Sequence, residues 1–158
     1  MRRVELRALT VGDAPACDAV IASLPYFFGD PDGVRVCAEA VRSQRGFVAT
    51  SDGDVAGFIT LEQHDPASAE ITWLAVHAEH RRGGIGRRLV AEAVRALGTE
   101  GVEMLFVLTL GPSVPEPGVE DGYAGTRAFY RALGFVPLRE FALRTWNDPA
   151  ALVMAKAL

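Results

Sequence analysis

Residues 74–90, LAVHAEHRRGGIGRRLV, decide the fold. An apolar, strand-like run leads into the glycine-rich segment RRGGIGR, and apolar residues then recur at helical spacing. A strand that turns directly into a helix leaves backbone N–H groups unpaired at the positive end of the helix dipole. Gly84 and Gly86 would let this backbone approach phosphate oxygens, and Arg81 or Arg87 would add a charged contact. The stretch therefore predicts a site for one pyrophosphate group.

A basic patch for nucleic acid is the alternative interpretation, because arginines at positions 81, 82, 87 and 88 surround the glycines. Proteins that bind DNA or RNA usually carry a basic excess over the whole domain, since their affinity comes from neutralising many phosphates. The chain has a formal net charge of -4, so we expect no nucleic-acid partner. The dinucleotide motif GxGxxG is also excluded, because Leu89 occupies the place of its third glycine, and no lysine completes a Walker loop.

Length and composition are typical of one folded domain, which we expect to span residues 1–158. Apolar residues make up 49% and charged residues 23%, with no long polar tract, as in globular proteins. The charged segment MRRVELRALTVGD and the lack of a long apolar run predict a cytoplasmic protein with no membrane partner. Cys17 and Cys37 are too few and too far apart for a metal or redox motif.

The order of predicted elements indicates a mixed sheet. RVELRALT alternates as a strand, residues 13–24 and 34–43 are predicted helices around the aromatic loop YFFGDPDG, and three antiparallel strands follow from Gly46. A helix from about Gly86 and a buried strand, MLFVLTL, then require a right-handed crossover and a parallel strand pair. A long loop, a short helix in TRAFYRALGF and a final hairpin complete the prediction.

Two stretches resemble the signatures of the Gcn5-related N-acetyltransferase (GNAT) superfamily. The first signature, Arg/Gln-x-x-Gly-x-Gly/Ala after a strand, is present as Arg81-Arg82-Gly83-Gly84-Ile85-Gly86. The second, an aromatic pair before a Gly-Phe turn, is present in TRAFYRALGFVPL, residues 126–138. The resemblance implies an α/β (α+β) fold: a mixed, mostly antiparallel central sheet of six to seven strands, flanked by about four helices, with a splayed, V-shaped cofactor cleft.

The resemblance also implies an activity, the transfer of an acetyl group from acetyl-CoA to a primary amine by direct transfer through a ternary complex. Small amines, amino acids, polyamines, amino sugars and protein or peptide amines are all compatible acceptors. A non-catalytic acyl-CoA-binding or sensor module on the same fold is the alternative. Dimers are common in this superfamily, so a homodimer is an open alternative to a monomer.

Acetyl-CoA is expected to bind largely through the backbone, and no metal is expected. The end of the predicted strand would pair with pantetheine and polarise the thioester carbonyl, through Leu74, Ala75 and Val76. The glycine segment would hold the pyrophosphate, through Arg81, Arg82, Gly83, Gly84, Ile85, Gly86 and Arg87.

Tyr130 matches the tyrosine that this superfamily commonly uses as general acid toward the thiolate of CoA. A phenol with a pKa of ~10 is protonated at neutral pH and can donate to a thiolate whose conjugate acid has a pKa of ~8.5. A purely structural role, packing and hydrogen bonding, is the alternative for this residue.

Glu70 is the candidate general base. It lies in AEITWLAV at the spacing where the histone-acetylating branch of the superfamily keeps its catalytic glutamate. Deprotonating an amine with a pKa of ~10.4 costs about 5 kcal/mol at pH 7, which a base would offset. Strand alternation places Thr72 on the same face as Glu70 and Trp73 on the opposite face. An ordinary strand-edge carboxylate, with water relays taking the proton, is the alternative.

The resemblance implies that loops set acceptor identity, here LPYFFGDPDG and GPSVPEPGVEDGYAG. The candidate residues are Tyr26, Phe27, Asp121 and Tyr123. An acidic residue there would suit a cationic amine. The alternative for Tyr26 and Phe27 is that their rings cap the core between the two predicted helices, and the alternative for Asp121 and Tyr123 is a solvated loop. His77, His80 and His64, the last expected at a turn, lack a third ligand at metal spacing and are interpreted as surface or loop residues.

Overall fold

The computed structural model describes residues 2–112, 122–142 and 150–158. The strands are β1 (Val4–Ala8), β2 (Arg45–Ser51), β3 (Asp54–Asp65), β4 (Ser68–Val76), β5 (Met104–Leu110), β6 (Val136–Phe141) and β7 (Ala151–Ala157). The helices are α1 (Ala14–Ala22), α2 (Pro31–Ser43), α3 (Ile85–Thr99) and α4 (Ala124–Ala132). Short 3-10 turns, Val11–Asp13 and Ala78–His80, precede α1 and α3. No helix in these ranges is both long and apolar enough to span a bilayer.

The strands form one sheet in the order β1-β2-β3-β4-β5-β7-β6. Neighbouring strands are antiparallel except for β4 and β5, which run parallel because α3 connects them as a crossover. The predicted mixed and mostly antiparallel sheet is confirmed, with seven strands and four helices in the described residues.

Two hydrophobic cores cover the two faces of this sheet. On one face the apolar stripe of α3, which includes Leu89, Ala93 and Leu97, packs against residues such as Ile59. On the other face α1 and α2 pack against a second set that includes Phe58. The alternation of Phe58 and Ile59 along β3 therefore separates the two cores.

The sheet splits between β4 and β5. Both strands are fully described, and their parallel register runs only from Ser68 paired with Met104 to Ile71 paired with Val107. Beyond this point β4 continues against β3, and β5 continues against β7. The two halves of the sheet thus separate into the predicted V-shaped cleft.

A β-bulge at Thr72 lies where the strands begin to separate. Thr60 pairs with Trp73 and Leu61 pairs with Ile71, so Thr72 is the extra residue of β4. Its hydroxyl group is 2.7 Å from Thr60 Oγ1 and donates to Gln44 Oε1 at 2.5 Å. These two contacts fix the bulge to β3 and to the end of α2.

The bulge reverses the alternation of side chains along β4. Ile71 belongs to the core under α3, so Glu70 is directed away from that core. After the extra residue, Leu74 joins the α3 core and Trp73 packs with the core of α1 and α2. Glu70 and Trp73 therefore share a face, and the prediction that they lie on opposite faces was wrong because it assumed an unbroken period of two.

Candidate functional site

The glycine segment forms a sharp turn between β4 and α3. Arg82 has a φ of 67° and Gly84, the N-cap of α3, has a φ of 80°. Both lie in the left-handed region, which glycine adopts at little cost and which is uncommon for other residues. Ile85 is buried in the core, where it anchors the first turn of α3, so its contribution to a ligand is limited to its backbone.

This turn presents a set of unpaired donors. The first hydrogen bond of α3 runs from the N–H of Arg88 to the carbonyl of Gly84, at 3.1 Å. Within the described residues, the backbone N–H groups of residues 82–87 donate to no acceptor. A Cβ atom placed on Gly84 would find nothing within 4 Å, so the space over the turn is open. An open cradle of N–H groups at a helix N-terminus fits a phosphate or pyrophosphate.

The arginines around this cradle have different roles in the structure. Arg88 donates from Nη1 to the carbonyl of Val4 at 3.1 Å, which ties α3 to β1. The guanidinium carbon of Arg81 lies 5.1 Å from the ring centroid of Phe27. Arg82 and Arg87 are exposed beside the cradle. Arg88 thus makes a structural contact, whereas Arg82 and Arg87 lie beside the cradle.

Beyond Ile71, the edge of β4 that faces the gap pairs with no other strand of the described residues. The N–H of His77 donates to the carbonyl of Ala56 on β3 at 2.8 Å. Because backbone groups alternate in direction along a strand, Ala75 is also directed to β3, and its carbonyl oxygen lies 2.9 Å from where a Cβ on Gly57 would be. Leu74 and Val76 are directed the other way, into the gap. Of the three predicted strand residues, two can pair with an extended ligand through their backbone.

Tyr130 lies in the buried core at the C-terminal end of α4. Its ring makes edge contacts with Phe129 and Phe135, at centroid distances of 5.0 and 5.2 Å. Phe129 in turn approaches Gly86, where a Cβ would lie 3.4 Å from the ring. The two sequence signatures are therefore adjacent in space.

The hydroxyl group of Tyr130 is unusual for a buried polar group. It makes no hydrogen bond with any residue that the structure describes, although most buried polar atoms have a partner. Burial raises the pKa of Tyr130, so the phenol stays protonated at neutral pH. A hydroxyl group that is protonated and has no partner among the described residues is available to donate to a ligand atom.

Glu70 lies at the apex of the cleft, one residue before the last pair between β4 and β5. Its side chain is 16% exposed. His64 Nε2–H donates to Glu70 Oε2 at 2.7 Å, and the imidazole stacks on Phe106 with the ring centroids 5.6 Å apart. Phe106 is the residue of β5 that pairs with Glu70.

The expectation that His64 occupies a turn was wrong, because β3 extends to Asp65 and includes it. Sequence reasoning missed its link to Glu70, although both residues flank the predicted β3–β4 turn. Glu62, His64 and Glu70 each present one ligand atom, and these atoms lie within 4.8 Å of one another. His64 and Glu70 are already hydrogen-bonded to each other, and the absence of a metal remains a prediction.

The aromatic candidates for the acceptor site come together. Phe27 makes edge contacts with Tyr26 and Tyr123, at centroid distances of 5.1 and 5.5 Å. A Cβ on Gly122 would overlap the Tyr26 hydroxyl, so the two loops pack closely. Burial raises the pKa of Tyr123. Together with Arg81 over Phe27, this cluster joins the α1–α2 loop to the phosphate cradle. Asp121 lies outside the described residues.

A family model for the acetyltransferase (GNAT) domain matches residues 42–137, which contain the bulged strand, the cradle and α4. The chain belongs to the GNAT acetyltransferase family. Its solved relatives share the GNAT fold along nearly the whole chain. A protein of this family from Desulfovibrio desulfuricans superposes with a TM-score of 0.83 over 98% of this chain and 99% of its own, at 24% identity.

The PaiA N-acetyltransferase of Thermoplasma acidophilum was solved in complex with coenzyme A. It matches with a TM-score of 0.74 over 99% of each chain, at 16% identity. At these identities the likeness concerns the GNAT fold.

Two curated acetyltransferases match in sequence. An uncharacterised N-acetyltransferase of Chlorobaculum tepidum is 34% identical over 65% of this chain and 57% of its own length. A mycothiol acetyltransferase of Salinispora arenicola is 39% identical over 53% of this chain and 27% of its own length. The match thus spans little more than half of the first relative and about a quarter of the second.

Proposed function

We propose that this GNAT chain transfers an acetyl group from acetyl-CoA to a primary amine, directly within a ternary complex. One observation carries the proposal. The free backbone edge of β4, beyond Ile71, leads directly into the unpaired N–H groups of residues 82–87. An extended cosubstrate with amide groups at one end and a pyrophosphate at the other matches this continuous arrangement.

The backbone groups of Leu74 and Val76 would pair with the amides of pantetheine as an added strand. The N–H groups of residues 82–87 would hold the pyrophosphate, with Gly84 leaving room for its oxygens. Arg81, Arg82 and Arg87 would add positive charge. Complexes of family members with coenzyme A support this assignment.

The reaction balances with Glu70 and Tyr130 as the two proton carriers. Glu70 takes one proton from the acceptor ammonium group, and the neutral nitrogen forms a bond to the thioester carbonyl carbon. Backbone N–H groups of β4 stabilise the negative oxygen that results. The C–S bond then breaks, Tyr130 gives its proton to the departing thiolate, and the surplus proton of the nitrogen returns to the phenolate. The products are one amide, one thiol and one proton released to solvent.

The acceptor is a small-molecule or peptide amine that enters beside the aromatic cluster of Tyr26, Phe27 and Tyr123. Asp121 belongs to the same loop as Tyr123 in sequence and would favour a cationic amine. The relatives named for N-acetylation and for mycothiol acetylation support an amine acceptor of this general kind.

A thiol-release assay tests the proposal. The protein is incubated with acetyl-CoA and a panel of amines: a small amine, an amino acid, a polyamine, an amino sugar and a peptide with a free N-terminus and a lysine. The expected result is thiol release that depends on at least one amine. CoA binding without turnover on any amine would favour the non-catalytic acyl-CoA module, and failure to bind CoA would refute the cosubstrate assignment.

A further inference from the structure

His64 and Glu70 form a hydrogen-bonded pair that neither sequence signature includes. The donor and acceptor atoms are 2.7 Å apart, and the side chains are 42% and 16% exposed. The less exposed member of the pair, Glu70, is the candidate base.

The imidazole is fixed from two sides. His64 belongs to β3 and Phe106 to β5, and β4 lies between these strands. The stacking of His64 on Phe106 therefore places the ring across β4, next to Glu70. Glu62 Oε2, at 4.0 Å from His64 Nε2, is the other charged group of the described residues beside the ring.

Fixing Glu70 matters for the proposed reaction. A glutamate side chain has several rotatable bonds, and holding it in one conformation costs up to about 2 kcal/mol. Glu70 precedes the bulge and the open gap, and among the described residues His64 provides the one side-chain hydrogen bond to its carboxylate. The hydrogen bond from His64 occupies Oε2 and fixes the carboxylate, so that Oε1 remains available to accept the proton of the amine.

We propose that His64 is a positioning residue, which holds the Glu70 carboxylate at the apex of the cleft through its Nε2–H while Phe106 holds the imidazole. This inference rests on the proposed function, because it assigns His64 a part in the step that deprotonates the amine. It requires the hydrogen bond donated by Nε2–H, which a neutral imidazole can make, and does not require His64 to be positively charged.

Substitutions that keep or remove the N–H donor test whether His64 positions Glu70. His64→Gln retains an N–H donor of similar reach, and His64→Ala removes it. We expect His64→Gln to keep kcat within about 3-fold of the native value and His64→Ala to lower kcat about 10-fold, with the KM for acetyl-CoA unchanged in both. In a Glu70→Gln background the His64→Ala substitution should have no further effect.

Gln63→Ala is the matched control, because Gln63 is adjacent in β3 and its side-chain amide donates to the carbonyl of Asp65, the last residue of that strand. It should leave kcat unchanged. Equal kcat values for His64→Gln and His64→Ala, or a full effect of His64→Ala in the Glu70→Gln background, would overturn the positioning role.

An NMR measurement that needs no turnover separates failure of this inference from failure of the proposed function. The His64 Nε2–H proton should give a signal protected from exchange with water in the native protein and lose it in Glu70→Ala. Loss of that protection in Glu70→Ala would support the pairing even if no amine were acetylated. A signal unchanged by Glu70→Ala, or absent from the native protein, would overturn the pairing whatever the native activity.

Discussion

Ile71 and Val107 form the last pair that joins β4 to β5. Beyond this pair β4 remains hydrogen-bonded to β3 and β5 remains hydrogen-bonded to β7, so the sheet opens while both strands keep their other partner. Glu70 directly precedes Ile71, and the bulge at Thr72 directly follows it. The cleft, its free backbone edge and the candidate base therefore originate at the same point of the chain.

Gly84→Val should weaken CoA binding by more than about 10-fold, because the added side chain fills the open space over the cradle. A β-branched residue in the left-handed region also costs about 1 to 2 kcal/mol of stability. Gly101→Val is the matched control, since Gly101 has a φ of 85° and equally open surroundings at the far end of α3. Calorimetric titration should find weakened CoA binding in Gly84→Val and native CoA binding in Gly101→Val. Native affinity in Gly84→Val would mean that the pyrophosphate lies elsewhere.

Tyr130→Phe should lower kcat by roughly 100-fold to 10,000-fold, the range expected for a lost general acid, and leave CoA affinity unchanged. The same substitution should not destabilise the fold, because the hydroxyl group has no partner among the described residues. Steady-state kinetics and thermal unfolding measure the two effects separately. Unchanged kcat would remove the acid role, and a large loss of stability would indicate that the hydroxyl group has a structural bond.

Glu70→Gln should lower kcat at neutral pH about 100-fold without changing acetyl-CoA affinity. The deficit should narrow as the pH rises toward the pKa of the acceptor amine, ~10.4 for an alkyl amine, because a neutral amine no longer needs a base. A pH–rate profile with one acceptor tests this expectation. A deficit that stays constant with pH would argue for a water relay and a different role for Glu70.

Asp13→Asn tests the pairing of α1 with β1. Arg7 donates two hydrogen bonds of 2.8 Å to the nearly buried Asp13 carboxylate, and these contacts lower the pKa of Asp13 to about 2. A lowered folded-state pKa contributes stability above the unfolded pKa of about 4, and this contribution is lost as the pH falls through 2. Denaturant unfolding should give a loss of about 2 kcal/mol at pH 7 that shrinks below pH 4.

Asp18→Asn is the comparison for that measurement, because Asp18 pairs with Arg42 on the exposed surface. Its loss of stability should be clearly smaller than that of Asp13→Asn, because solvent screens an exposed ion pair. A loss in Asp13→Asn that is equally small, or that does not vary with pH, would contradict the account of the Arg7 pair.

Much of the fold follows from local sequence patterns, and the errors arise where contacts are not local. The apolar stripe of α3 follows from its helical spacing, and the crossover to β5 follows from the order strand, helix, strand. Both predictions are confirmed. Trp73 was placed on the wrong face because a bulge depends on the register of β3 against β4, which no single segment encodes.

In the candidate site, too, local features could be predicted from the sequence and contacts between separate segments could not. The glycine turn could be predicted because a short segment contains all of its donors. The contact between His64 and Glu70 depends on the length of the β3–β4 hairpin, and the meeting of Phe27 with Tyr123 depends on how two distant loops pack. Phe27 and Tyr123 are far apart in sequence, and the pairing of His64 with Glu70 across the predicted turn requires the exact register of the hairpin.

Amide hydrogen exchange, followed by NMR with and without acetyl-CoA, tests the central claim most directly. Acetyl-CoA should slow exchange at residues 82–87, at Leu74 and at Val76, where the N–H groups of the free protein have no partner among the described residues. Ala75 should not change, because its N–H is already directed to β3. Protection that omits residues 82–87, or that falls on Ala75 and not on its two neighbours, would contradict the account.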